Sequence, residues 1–257
     1  ESIVVANDLD VKKSRWNGFQ RHDFKCKGEK SVLVFPDSPA KGFPWVWRDR
    51  FFGHQPQADI ELLKRGFHLA YCDVAGLFGN QVAVERWNAF YQMLTTQRGL
   101  SKRPALEGMS RGGLIIYNWA SENPEKVSCI YGDAPVCDIR SWPGGKGKGK
   151  GGGSAWKAAL KAHRITDEES KSAKVSPIYK LKPIADAGIP ILHVVGAADK
   201  VVPVEENSEI IEKKYKALGG NINVISKPGI GHHPHALKDP RPIVDFILKH
   251  SLKVKVD

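Results

Sequence analysis

Short apolar runs separated by polar, turn-forming stretches recur along the chain. Residues 31–36, 67–72, 104–106, 127–132, 191–196 and 223–226 carry runs of Val, Ile, Leu, Tyr and Cys, mostly bounded by Pro, Gly or Asp, and predict strands. Between them, residues 58–65, 83–97, 205–218 and 240–250 place apolar side chains at helical spacing, with Gly99 closing the second helix. Residues 114–120 are apolar throughout and predict a buried helix. Residues 16–24 predict an N-terminal hairpin. Strands alternating with helices imply a mostly parallel central sheet with helices on both faces.

One stretch breaks the alternation. Residues 142–156 are dominated by glycine and lysine, too glycine-rich for regular structure. The strand–helix rhythm resumes afterwards, so the stretch reads as a loop within one domain. A helical segment over residues 156–174 makes residues 139–180 a loop and small cap insertion in a single domain spanning 1–257. No internal repeat is visible.

At 257 residues the chain can bury a sizeable core. No apolar run reaches the ~18 residues of a membrane span. The formal net charge is +11, but the lysines are scattered and accompany no zinc-finger or RNA-binding motif. The excess predicts a solvated basic surface with no nucleic-acid partner. Of the four cysteines, Cys26, Cys72 and Cys129 lie in apolar runs, as buried thiols do, and no C-x-x-C occurs. The first residue is Glu1, and a removed leader with a secreted or periplasmic location is the expectation. Oligomeric state is not legible.

The chemistry gathers around Gly108-Met109-Ser110-Arg111-Gly112, between a predicted strand and a predicted helix. A serine on such a turn is a nucleophile elbow: the glycines leave room for neighbouring backbone, and the strained serine points its Oγ out of the sheet. A serine hydroxyl needs a base, and the base needs an orienting carboxylate. Asp199 follows the 191–196 strand on a loop, and Asp133 and Asp138, after the preceding strand, are reserve candidates. The last loop carries His232, His233 and His235. His232 follows Gly231 and is the expected base. His233 and His235 are expected to bind substrate or brace the loop. Three clustered histidines are also a metal signature, but no Asp, Glu or Cys stands nearby in sequence at metal-like spacing, so neither metal nor cofactor is expected.

The order Ser110, Asp199, His232 resembles that of the α/β-hydrolases over about residues 31–250. The segment Ser110-Arg111-x-Gly113 resembles the elbow of glucuronoyl methylesterases and related carbohydrate esterases, with Met109 where those enzymes usually carry Cys. Residues 44–48, 141–145 and 231–235 together look like a family of bacterial hydrolases linked to polysaccharide breakdown. The resemblance implies a cofactor-free serine esterase acting on acyl or methyl esters of a plant or algal carbohydrate. It implies that Arg111 helps hold the oxyanion. The second oxyanion donor is expected from the loop after residues 31–36; Pro44 has no N–H, so Trp45 or a neighbour must supply it. An alternative role for Arg111 is a salt bridge at the helix start.

Trp45, Trp47, Trp142 and Trp156 are expected near the same face, where flat rings suit sugars, although packing is the commoner role of any one tryptophan. Trp47, Arg48, Trp142, His233 and His235 are the expected substrate contacts. Lys146, Lys148 and Lys150 read as a solvated loop. Two other functions fit the same residues. One is a peptidase of the prolyl-oligopeptidase type, although those enzymes usually carry a gating domain too large to fit here. The other is a glycan-binding module on a hydrolase scaffold that has lost catalysis.

Overall fold

A computed structural model describes residues 11–252. Nine strands form one sheet in the order β1-β2-β3-β5-β4-β6-β7-β8-β9. The first three, β1 (Lys12–Trp16), β2 (Phe19–Cys26) and β3 (Glu29–Phe35), run antiparallel to their neighbours, and β3 pairs antiparallel with β5 (His68–Cys72). From β5 onward, through β4 (Trp45–Asp49), β6 (Ala105–Met109), β7 (Cys129–Asp133), β8 (Ile191–Gly196) and β9 (Ile222–Lys227), every pairing is parallel. The mostly parallel sheet expected from the alternation is present. The β1–β2 hairpin turns on Asn17-Gly18, both at positive φ, where Asn and Gly are the residues that tolerate it.

Helices α1 (Gln57–Lys64) and α7 (Arg241–Ser251) cover one face of the sheet, burying Leu62, Leu63, Ile243 and Ile247 against Val46, Leu69 and Val194. Helices α2 (Gln81–Thr96), α3 (Gly113–Glu122), α5 (Leu181–Asp186) and α6 (Ser208–Ala217) cover the other. The segment between β7 and β8 also carries α4 (Gly153–His163), which packs Trp156 and Ala159 onto Phe78, Leu114 and Ile139. All four cysteines are buried and free. Among the described residues no helix is long and apolar enough to cross a membrane.

Strand β4 departs from expectation most. Its residues lack the plain apolar run of a central strand because they include Arg48 and Asp49, yet all five are buried. Trp45 and Trp47 face the α2–α3 side. Trp47 stacks on Trp87 at 3.9 Å and meets Trp119 edge-on at 5.0 Å. Both side chains are fully buried, so neither is a substrate platform. Arg48 is 1% exposed and pairs with Asp59 of α1 and with Glu107 of β6, the latter at 3.0 Å. It also donates to the His54 carbonyl at 2.6 Å. The expected substrate contacts Trp47 and Arg48 are therefore corrected to core packing and an internal ion cluster.

Removing one member of a buried ion cluster strands the others in low dielectric. Arg48→Met should cost about 3–5 kcal/mol of unfolding free energy, read by urea denaturation. A loss below ~1 kcal/mol would show that the cluster is dispensable.

Candidate active site

Five residues of β6 lead into Ser110, whose φ of 52° is left-handed. A single 3-10 turn over Ser110–Gly112 follows, and α3 begins at Gly113. The close approach explains the glycines. A Cβ on Gly108 would lie 2.8 Å from the Gly112 carbonyl oxygen, and one on Gly112 would lie 2.8 Å from that of Asp49. Gly113 is equally constrained, since its Cβ would meet the Val136 carbonyl oxygen at 2.5 Å. Val136 in turn donates its N–H to the Ser110 carbonyl at 2.8 Å. The serine is thus held at a sharp corner with its side chain forced out at the carboxyl ends of the strands.

Ser110 Oγ lies 3.0 Å from Nε2 of His232, and Nδ1 of His232 lies 2.7 Å from Oδ2 of Asp199. A carboxylate only accepts, so Nδ1 carries the proton and Nε2 is left as the acceptor for the serine hydroxyl. Oδ1 of Asp199 accepts the Val201 and Val202 N–H groups at 2.8 and 2.9 Å. Burial raises the Asp199 carboxyl, but the bonds from His232, Val202 and Val201 outweigh it and hold the group below its ordinary range. Asp199 is therefore an anion aimed at His232.

The reserve acids point elsewhere. Asp133 accepts from His235 Nδ1 at 2.7 Å, from the Ala236 N–H at 2.6 Å and from the Tyr131 hydroxyl at 2.6 Å. Asp138 accepts from the Ser176 hydroxyl and the Arg140 N–H, each at 3.0 Å. Of the two uses expected of His235, binding substrate or bracing the loop, the first is corrected: it is 4% exposed and locked on Asp133. His233 is exposed beside it.

Trp45 is also corrected as an oxyanion donor. In the parallel register Trp45 pairs with His68 and Val46 pairs with Ala105, so Trp45 sits at the amino end of the sheet. Ser110 lies at the carboxyl end, where Asp49 pairs with Gly108. The backbone that meets the elbow is the end of β4, where the Asp49 carbonyl crowds Gly112, and in the turn that follows Arg50 and Phe51 both take positive φ, 67° and 48°. The residue order gives no signal for this, because neither Arg nor Phe is a left-handed residue by preference.

The Arg111 guanidinium lies 4.7 Å from the Phe78 ring and 5.8 Å from the Trp142 ring, and these two rings stack on each other at 6.5 Å. Trp142 thus flanks the elbow arginine. Phe78 is a site residue that the sequence does not advertise, since only packing brings its loop to α3. Burial, then the neighbouring Arg50, lowers the guanidinium to about 10. Its Nε has no hydrogen-bond partner among the described residues.

No family model matches the chain, and none of the curated proteins does. Solved structures do. Over 92% of the chain it is similar to a dipeptidyl peptidase 4 of Porphyromonas gingivalis, with TM-score 0.69 and 13% identity, covering 36% of that protein. An acylaminoacyl peptidase of Pyrococcus horikoshii matches 97% of the chain at TM-score 0.69 and 14% identity, with 43% of its own length covered. A puromycin hydrolase matches 94% at TM-score 0.65 and 17% identity, with 39% covered. The chain has the α/β-hydrolase fold and spans about two-fifths of the length of these proteins. They do not extend the Ser-Arg-x-Gly resemblance to carbohydrate esterases.

Asp49, beneath the elbow, supplies a pH test. It is 2% exposed, and its Oδ1 has no hydrogen-bond partner among the described residues. Burial lifts its carboxyl to about 7 against the pull of Arg50. Below the ordinary carboxylate range both folded and unfolded states are protonated. Between there and about 7 the folded state keeps a proton that the unfolded state releases, so this group's contribution falls as pH rises. Asp49→Asn removes that loss. Relative to the native chain, the variant should gain roughly 2–4 kcal/mol between pH 4 and pH 8, at about 1.4 kcal/mol per pH unit. A difference independent of pH would refute the raised value.

Proposed function

We propose that the chain is a serine hydrolase that cleaves acyl bonds through an acyl-enzyme, with Ser110 as nucleophile, His232 as base and Asp199 as orienting acid. The observation that carries it is the continuous hydrogen-bonded line from a left-handed Ser110 through His232 to Asp199. Ser110 Oγ attacks the carbonyl carbon as Nε2 of His232 takes its proton. The same nitrogen then returns the proton to the leaving group, and a water repeats the cycle to release the acid. The Arg111 N–H at the head of α3 and the Arg50–Phe51 backbone are the proposed oxyanion donors.

For substrate, we favour a peptide or other amide-linked acyl compound, the prolyl-oligopeptidase type, over a carbohydrate ester. Two observations support this choice. The similar structures include a dipeptidyl peptidase and an acylaminoacyl peptidase. Trp45 and Trp47, on which a sugar platform was expected, lie inside the core. Trp142 remains beside Arg111 and serves as a wall for an apolar side chain as well as for a sugar.

A fluorophosphonate probe should label the native chain and fail on Ser110→Ala. Asp199→Asn should fold yet lose about 10⁴ in kcat, because His232 is left in the wrong tautomer. Chromogenic dipeptide and acylaminoacyl amides should turn over. Turnover confined to acetylated or methyl-esterified glycans would return the assignment to a carbohydrate esterase, and labelling undiminished in Ser110→Ala would remove the hydrolase.

Arg111→Ala separates two roles for the cation. If the guanidinium holds the oxyanion, kcat falls about 10²–10³-fold with a smaller change in KM. If it binds a substrate anion instead, KM alone rises. Unchanged kinetics with a lowered Tm would leave it as packing between Phe78 and Trp142.

A further inference from the structure

The loop after β9 brings together three imidazoles of which the proposed chemistry uses one. The ring centroids of His232, His233 and His235 lie 4.7–5.0 Å apart in every pairing, and the ring planes are nearly perpendicular, at 77–88°. One potential ligand nitrogen from each lies within 4.8 Å of the others.

Two of the three are backed by buried carboxylates, Asp133 at the end of β7 and Asp199 on the loop after β8. Asp199 holds Nδ1 of His232, and Asp133 holds Nδ1 of His235, each at 2.7 Å. A carboxylate on one ring nitrogen fixes the tautomer and makes the other a better metal ligand. His235 Nε2 is buried and has no hydrogen-bond partner among the described residues, a costly arrangement for an imidazole unless something uses it. His232 Nε2 has the Ser110 hydroxyl at 3.0 Å. The partner acids that the local sequence lacks are thus supplied through space by Asp133 and Asp199.

We propose that Nε2 of His232, Nε2 of His235 and the exposed ring of His233 form a site for one zinc ion, whose occupancy switches off the Ser110 chemistry. Three nitrogens bound at 2.0–2.1 Å in a tetrahedral set lie about 3.3 Å apart, so the rings must draw together. His233, on the surface, is the one free to turn. The exposed His54 ring lies 6.1 Å from that of His235. The ion takes the same lone pair that would accept the Ser110 proton. The bond from the serine hydroxyl to His232 gives way to a nitrogen–zinc bond, and the serine is left without a base. This inhibitory effect rests on the proposed role of His232; the site itself does not.

Calorimetric titration of Zn²⁺ into the full chain carrying Ser110→Ala, which keeps every histidine, should show one ion per chain. His233→Asn and His235→Asn should each weaken binding tenfold or more. His235 is packed on Asp133, so if His235→Asn does not fold, the surface variant His233→Asn decides. Asp133→Asn, acting through His235, should weaken binding 10–100-fold. On the native chain, Zn²⁺ should slow fluorophosphonate labelling of Ser110, and EDTA should restore it. No heat of binding to Ser110→Ala, or binding undiminished in His233→Asn, would overturn the site. Stoichiometric binding with labelling unaffected would overturn the switch. If the probe never labels Ser110, the hydrolase reading fails while the calorimetry still decides the site.

Discussion

The contact on which the rest of the molecule depends is backbone against backbone at the nucleophile corner. Gly108, Gly112 and Gly113 each stand where a Cβ would run into a carbonyl oxygen of Gly112, Asp49 or Val136. This crowding ties the ends of β4 and β6, the start of α3 and the loop after β7 into one rigid node. Ser110 is strained there because the surrounding strands over-determine its conformation, as in other sites where backbone strain serves function. The serine's direction, and hence its distance to His232, follows from the node rather than from anything in its own side chain.

Beneath the node lies an unusual amount of buried charge. Arg48, Asp59 and Glu107 form one internal cluster, and Asp49 stands alone at the end of β4. Burial, then Asp59, pushes the Glu107 carboxyl well above its ordinary range, while Arg48 pulls it back. These groups join α1, β4 and β6, the elements that carry the node. Their desolvation is only partly offset: among the described residues Arg48 Nε, Asp49 Oδ1, Asp59 Oδ1 and Glu107 Oε2 have no hydrogen-bond partner. The result is a polar spine under the catalytic edge and an aromatic one, Trp47 with Trp87 and Trp119, alongside.

At the carboxyl edge the fold repeats one device twice. Asp199 orients His232 toward Ser110, and Asp133 orients His235, whose Nε2 meets no hydrogen-bonding group among the described residues. Both pairs join the loop after β9 to a neighbouring strand end, so together they brace the loop that carries the base. The difference between them is exposure of the free nitrogen to a reacting serine. The loop histidines thus anchor the loop and, in the proposed chemistry, serve the serine as well, and neither use can be assigned from composition.

Much of this molecule is written locally. Alternating apolar runs and amphipathic stretches announce a parallel sheet covered on both faces, because burial of a strand or of a helix stripe imposes its own period. The elbow is legible because only glycine permits the close approach, and the order Ser110, Asp199, His232 marks three loops at one edge of such a sheet. Arg48 and the tryptophans of β4 mislead because charge and aromatic size favour exposure or ligand contact in the absence of partners. Asp59, Glu107, Trp87 and Trp119 are distant in sequence, and only the packed sheet brings them within reach. The left-handed Arg50–Phe51 turn, the Phe78–Arg111–Trp142 stack and the division of acids between His232 and His235 were decided the same way. Each depends on which strand ends become neighbours, a choice made by the crossovers of the sheet and not by any residue's own preference.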